Sequence, residues 1–120
     1  MNYRHSFHAG NFADIVKHAL VLWLLEQRQA AGPVTVLDTH AGGGLLMASE
    51  NRPPLIEALA AAVNETNPDG GGRFYPGSPL LVVRRLRRGD RYVGFELHPP
   101  VLALLGEVLE PFAGAEARGG

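Results

Sequence analysis

The sequence predicts an α/β protein built on a parallel sheet. Three observations carry that expectation. "VTVLD" at 34–38 is a short, apolar, β-branched run, the pattern of a strand buried on both faces. It runs directly into the glycine-rich stretch "THAGGG" at 39–44. A second strand-like run, "RYVGFEL" at 91–97, is followed by a proline-initiated helical pattern, "PPVLALLGEVLEPF" at 99–112. Helical and extended segments alternate, which is the order of a parallel sheet with crossover helices.

The remaining elements follow in order. Apolar residues at Phe12, Ile15, Val16, Ala19, Leu20, Leu22, Trp23 and Leu24 predict a mostly buried first helix. Asn11 suits its N-cap, and Asp14 stands three residues later as in a capping box. Gly32 and Pro33 end it. A second helical stretch is expected from about Leu45, broken by "NRPP" at 51–54, with a further helix over "LIEALAAAVNE" at 55–65. "TNPDGGG" at 66–72 is a loop. A turn then leads to a short helix that Ser78 can cap, with Pro79 at its first position. "EARGG" reads as the start of a third strand. The chain divides into an N-terminal extension and helix (1–33), a glycine loop (34–46), a helical insertion (47–78) and a second-strand region (79–120), all within one domain.

Composition bounds the function. The 120 residues are 46% hydrophobic and 19% charged, a globular balance. Roughly two-thirds of the unfolded surface can be buried at this size. The net charge of −1 gives no global attraction to nucleic acid or membrane. There is no cysteine, so disulfides and thiolate metal sites are excluded. The longest apolar run, Ala19 to Leu25, is too short to span a bilayer. No signal peptide is legible, and a cytoplasmic protein is expected.

Four stretches hold residues fit for chemistry. "VLDTHAGGG" at 36–44 offers a seat for an anion or cofactor, because backbone N–H groups point outward and glycines such as Gly42 admit a close ligand. It lacks the lysine of a triphosphate-binding loop. A turn that merely needs positive φ explains it equally well. Glu96 ends the second strand, where an acidic residue of a nucleotide-binding fold accepts hydrogen bonds from ribose hydroxyls. An exposed strand-end glutamate is the plain alternative, and the pairing with the glycine loop favours the first. "YRHSFHAGNFADIVKH" at 3–18 gathers three histidines, one arginine and the only lysine. Asp14 shares a helix face with Lys17 and His18, and that face must meet solvent, a partner or a ligand. "RRLRRGDR" at 84–91 carries five arginines that suit either phosphates or solvent. A metal site on His5, His8, His18 and His40 is disfavoured, since no carboxylate stands at ligand spacing.

Taken together, "YRHSFHAGNFADIVKH", "LDTHAGGG", "FYPGSPL" and "FELHP" resemble the ribosomal RNA large subunit methyltransferase J family. The four blocks occur in the right order between residues 3 and 98. The resemblance implies a Rossmann-like class I fold that uses S-adenosyl-L-methionine to methylate adenine N6 in 23S rRNA, with a helical insertion after the first strand. It gives Lys17, His18, His40, Gly42, Ser78 and Glu96 to the cofactor, and Tyr3, Arg4 and His5 to the RNA. It implies no metal and a monomeric full-length enzyme. Such enzymes use an Asp-Pro-Pro-Tyr-like motif to hold the flipped adenine, and that motif is absent here; "LHPP" at 97–100 lacks the aromatic. The chain is therefore expected to be an N-terminal fragment, without catalytic residues and inactive alone. A non-catalytic nucleotide- or RNA-binding module is the alternative from another class, and a His-rich metal hydrolase is a third reading.

Overall fold

A computed structural model of the chain describes residues 12–47, 57–70 and 74–120. In chain order the elements are α1 (Phe12–Ala30), β1 (Thr35–Asp38), β2 (Leu45–Met47), α2 (Glu57–Thr66), β3 (Phe74–Pro76), α3 (Ser78–Val83), β4 (Arg91–Glu96), α4 (Pro99–Leu109) and β5 (Ala115–Gly119). The main sheet has the order β1-β4-β5 and is parallel throughout, with Asp38 opposite Gly94 and Glu96 opposite Gly119. Parallel neighbours need crossovers. The β4–β5 crossover is α4, and the β1–β4 crossover holds everything from β2 to α3. "EARGG", expected to open a third strand, lies in β5, the third strand of this sheet, which begins one residue earlier at Ala115.

Short α3 is the hub of the core. All of Pro79 to Val83 are buried. Leu80, Val82 and Val83 pack with Leu25, Ala41, Tyr92, Leu105 and Leu109 above the sheet. Leu81 instead joins Ile15, Leu22, Leu59 and Ala62, where α1 meets α2. At roughly 25 cal/mol per Å² of apolar surface buried, this double-sided contact is a major share of the stability.

Three expectations change. The stretch from Leu45 is a strand, not a helix: β2 pairs antiparallel with β3, Leu46 opposite Tyr75. A three-residue apolar run has no period of its own, and Leu46 is claimed by a cluster with Val63 and Tyr75. Among the described residues of the 47–78 insertion, a helix lies between the two paired strands, with a strand at 74–76 where a turn was expected. Next, Gly77 is the N-cap of α3, and no side chain caps it. Ser78 is the first helical residue and donates instead to Asp38. Last, α1 is buried along one stripe only. Asp14, Ile15, His18, Leu22 and Leu25 face inward, while Val16, Leu20, Trp23 and Leu24 are 45–57% exposed. Asp14 and His18 therefore lie inside rather than on a solvent-facing surface; Lys17 alone of the three is exposed. The Asn11 N-cap lies outside the described residues. None of the described helices is long and apolar enough to cross a membrane.

A buried carboxylate ties the amino-terminal ends of the sheet. Asp90 is 4% exposed. It accepts from the backbone N–H of Arg87 at 2.8 Å and of Val34 at 2.9 Å, and from Gln29 Nε2 at 2.9 Å and Arg87 Nε at 3.2 Å. It thereby joins the end of α1, the entry to β1 and the turn into β4. The Arg87 and Val34 N–H groups hold its carboxyl well below the usual carboxylate range, against the opposing effect of burial.

A depressed carboxylate stabilises the fold above the pKa it has in the unfolded chain, about pH 4, and that stability is lost as pH falls toward its folded value. The melting temperature should therefore drop on acidification below about pH 4. Asp90→Asn should melt lower at pH 7 and lose much of that acid dependence, as calorimetry across pH will read. The outer stripe of α1 makes a separate expectation. Trp23→Lys should leave stability within about 0.5 kcal/mol, because Trp23 is 57% exposed.

Candidate functional site

The site lies at the carboxyl ends of β1 and β4, where ligands of open α/β sheets bind. It begins with a missing side chain. On β4, Tyr92, Gly94 and Glu96 point to one face, since side chains alternate along a strand. A Cβ at Gly94 would stand 2.8 Å from Tyr92 Oη and 3.0 Å from the Ala41 Cβ. The empty position lets the Tyr92 ring lie along the strand and lets the chain after β1 cross over β4. Ala41 N donates to Phe95 O at 3.0 Å and fixes that crossing.

The loop over the crossing is glycine by necessity. Gly42 (φ +70°) and Gly44 (φ +84°) adopt the left-handed region, which costs other residues about 1 kcal/mol or more. A Cβ at Gly43 would meet Leu104 Cδ2 at 2.8 Å, and one at Gly44 would meet Val108 Cγ1 at 3.0 Å. The loop is thus pressed onto α4. Gly77 N donates to Gly44 O at 2.8 Å and brings the start of α3 beside it. The loop leads into a strand, so the helix N-terminus expected behind it is absent among the described residues. The polar groups beside it come from the loop backbone and flanking side chains.

Three side chains meet under the loop. Asp38 Oδ2 accepts from Ser78 Oγ at 2.6 Å and from Tyr92 Oη at 2.9 Å. Asp38 Oδ1 lies 3.4 Å from His40 N, a long contact. Burial, and then the charge of Asp38, push the Tyr92 phenol up, so it stays a proton donor. Glu96 is half-buried at the same end of the sheet and accepts from His98 N at 2.9 Å.

The structure therefore brings together Gly42, Ser78 and Glu96, with exposed His40 at the rim, its Nδ1 2.9 Å from Thr39 Oγ1. Lys17 and His18 stand on α1 instead. Lys17 is exposed, 4.0 Å from Asp14. His18 is 1% exposed, stacked on Tyr75 at 5.4 Å, with its Nδ1 2.9 Å from the Tyr75 hydroxyl. Tyr3, Arg4 and His5 lie outside the described residues. Three of the arginines at 84–91 serve their own chain. Arg84 donates to Thr66 Oγ1 at 2.7 Å, Arg85 to Leu81 O at 3.1 Å, and Arg87 to Asp90 and to Gly32 O at 3.0 Å.

Sequence reasoning missed Asp38 and Tyr92. The signal for Asp38 was present: an acidic residue closing a buried strand immediately before the glycines. Tyr92 carried a weaker one, a tyrosine two residues before a glycine on a strand.

Comparison with known proteins places the chain among relatives of one family. The family model described as ribosomal RNA large subunit methyltransferase D, RlmJ, matches residues 38–118. The chain is 35% identical over 126 residues to ribosomal RNA large subunit methyltransferase J of Escherichia coli, covering 88% of this chain and 45% of that protein. It is 33% identical over 121 residues to the protein of the same name in Haemophilus influenzae, covering 82% and 43%. The chain thus spans less than half the length of these relatives. A crystal structure of a Legionella pneumophila protein superposes with a TM-score of 0.76 at 28% identity, over 93% of this chain and 48% of that one.

The crossing makes a sharp expectation. Gly94→Ala must displace the Tyr92 ring or the loop at Ala41. It should cost about 1–3 kcal/mol by overpacking, read by urea denaturation, and should shift the NMR resonances of loop residues 41–44.

Proposed function

This chain belongs to the ribosomal RNA large subunit methyltransferase J family, and on that premise we propose that it forms the S-adenosylmethionine-binding part of an enzyme that methylates adenine N6 in 23S rRNA. The observation that carries the reading is the placement of half-buried Glu96 at the carboxyl end of β4, the strand paired with β1, beside the glycine loop. In a sheet of this kind a strand-end carboxylate next to such a loop is placed to accept from the hydroxyls of a ribose.

The residues present fit the group. The left-handed glycines hold the loop against α4, with Gly42 its least buried glycine, and the Gly94 gap lets it come low over the sheet. S-adenosylmethionine, when bound, supplies an activated methyl group on a sulfonium. The chain's own residues bind and orient it: Glu96 takes the ribose, Gly42 and the loop backbone border it, and Ser78 and His40 offer polar contacts at the rim. Lys17, His18 and the opening Tyr3, Arg4 and His5 are assigned by family likeness to the cofactor and the RNA respectively. Recognition of the flipped adenine needs a polar and aromatic motif that this sequence does not contain, and the longer relatives have room for it. On its own the chain binds cofactor without turnover.

Isothermal titration calorimetry with S-adenosylmethionine should show one site, and Glu96→Ala should weaken it by about 1.5–3 kcal/mol. Unchanged affinity removes Glu96 from the site. Multiple methyl transfers to deproteinised 23S rRNA by these 120 residues alone would overturn the division of labour.

A further inference from the structure

Asp38 fixes the direction of two hydroxyl protons at once. Ser78 Oγ and Tyr92 Oη both donate to the same oxygen, Oδ2. A carboxylate oxygen only accepts, and a hydroxyl has a single proton to give. The proton of Ser78 is therefore committed to Asp38. The 2.6 Å separation is that of a charge-assisted bond, which resists reversal. What half-buried Ser78 Oγ has left to offer is a pair of lone pairs.

Tyr92 keeps Asp38 in that pose. Its ring is wholly buried and crosses the gap at Gly94, so its hydroxyl reaches Asp38 from the interior. Three elements are pinned to one carboxylate: β1 through Asp38 itself, β4 through Tyr92 and α3 through Ser78.

We infer that Tyr92 and Asp38 are positioning residues that present Ser78 Oγ as a hydrogen-bond acceptor, so that the part of the cofactor meeting Ser78 is its amino-acid ammonium and not its carboxylate. This rests on the S-adenosylmethionine reading above and adds an orientation to it. An ammonium is all donor and matches an acceptor. The negative charge of Asp38 directly behind Ser78 attracts an ammonium and repels a carboxylate.

The test is titration calorimetry with two probes: S-adenosylhomocysteine, and its analogue lacking the α-amino group. Tyr92→Phe removes one oxygen and keeps the buried ring; Ser78→Ala is the independent second variant. Each should weaken S-adenosylhomocysteine about three- to tenfold, the size of one lost hydrogen bond. Each should leave the deaminated analogue, already weak toward the unaltered chain, within about twofold. Equal losses toward both probes would mean a structural role only and overturn the inference. So would no loss toward either. An unaltered chain that binds neither probe sinks the cofactor reading, and this inference with it. One that binds both while the variants change nothing sinks the inference alone.

Discussion

The chain after β1 must cross over β4, and the molecule is arranged around the one position that allows it. At Gly94 there is no side chain, so Ala41 descends to within van der Waals contact of the strand and Tyr92 stretches beneath it. The Ala41 N–H to Phe95 carbonyl bond then sets the height of the loop. Loop height decides where Gly43 and Gly44 meet α4, and where Gly44 hands its carbonyl to Gly77. Through Gly77 the same constraint places Ser78, and with it the short helix on which two core clusters converge.

Two aspartates divide the ends of the sheet between them. Asp90, at the amino end, is surrounded by N–H donors and is sealed from solvent. It joins segments that are distant in sequence and is a fixture of stability. Asp38, at the carboxyl end, is only half-buried and is held by two short hydroxyl bonds, with one long amide contact from His40. Hydroxyls have one proton and two lone pairs, so each one bound to Asp38 passes a defined polarity onward. A carboxylate held by backbone amides stiffens a turn. One held by side-chain hydroxyls can orient a site.

Helix α1 shows how far a periodic pattern reaches. Its inner stripe seats Ile15, Leu22 and Leu25 on the helices beneath, and its outer stripe leaves Leu20, Trp23 and Leu24 uncovered among the described residues. β1 is the edge strand of the sheet beside it, and its Leu37 is 64% exposed. Parallel strands are normally covered on both faces; among the described residues this side presents exposed apolar side chains.

The sequence by itself determined the class of the fold and the end of the sheet at which the glycine loop and Glu96 stand. A β-branched run into glycines, a second such run ending in Glu96 and a helix between strands each depend on local properties: φ freedom, strand patterning and helix period. Those survive without knowledge of contacts, which is why β1, β4, α4 and the start of β5 were legible. Only the tertiary structure decided the rest. The run at Leu45 became a strand because a partner at residues 74–76 claimed it, a choice made by pairing over about thirty residues rather than by propensity. Ser78 is not the cap because the helix begins one residue earlier than expected, with Gly77 at the N-cap, and its hydroxyl donates instead to Asp38, forty residues away. His18 turned inward because Tyr75 was there to meet it. Asp38 and Tyr92 stayed invisible for the same reason. They meet across two strands, and a one-dimensional pattern records residues, not meetings.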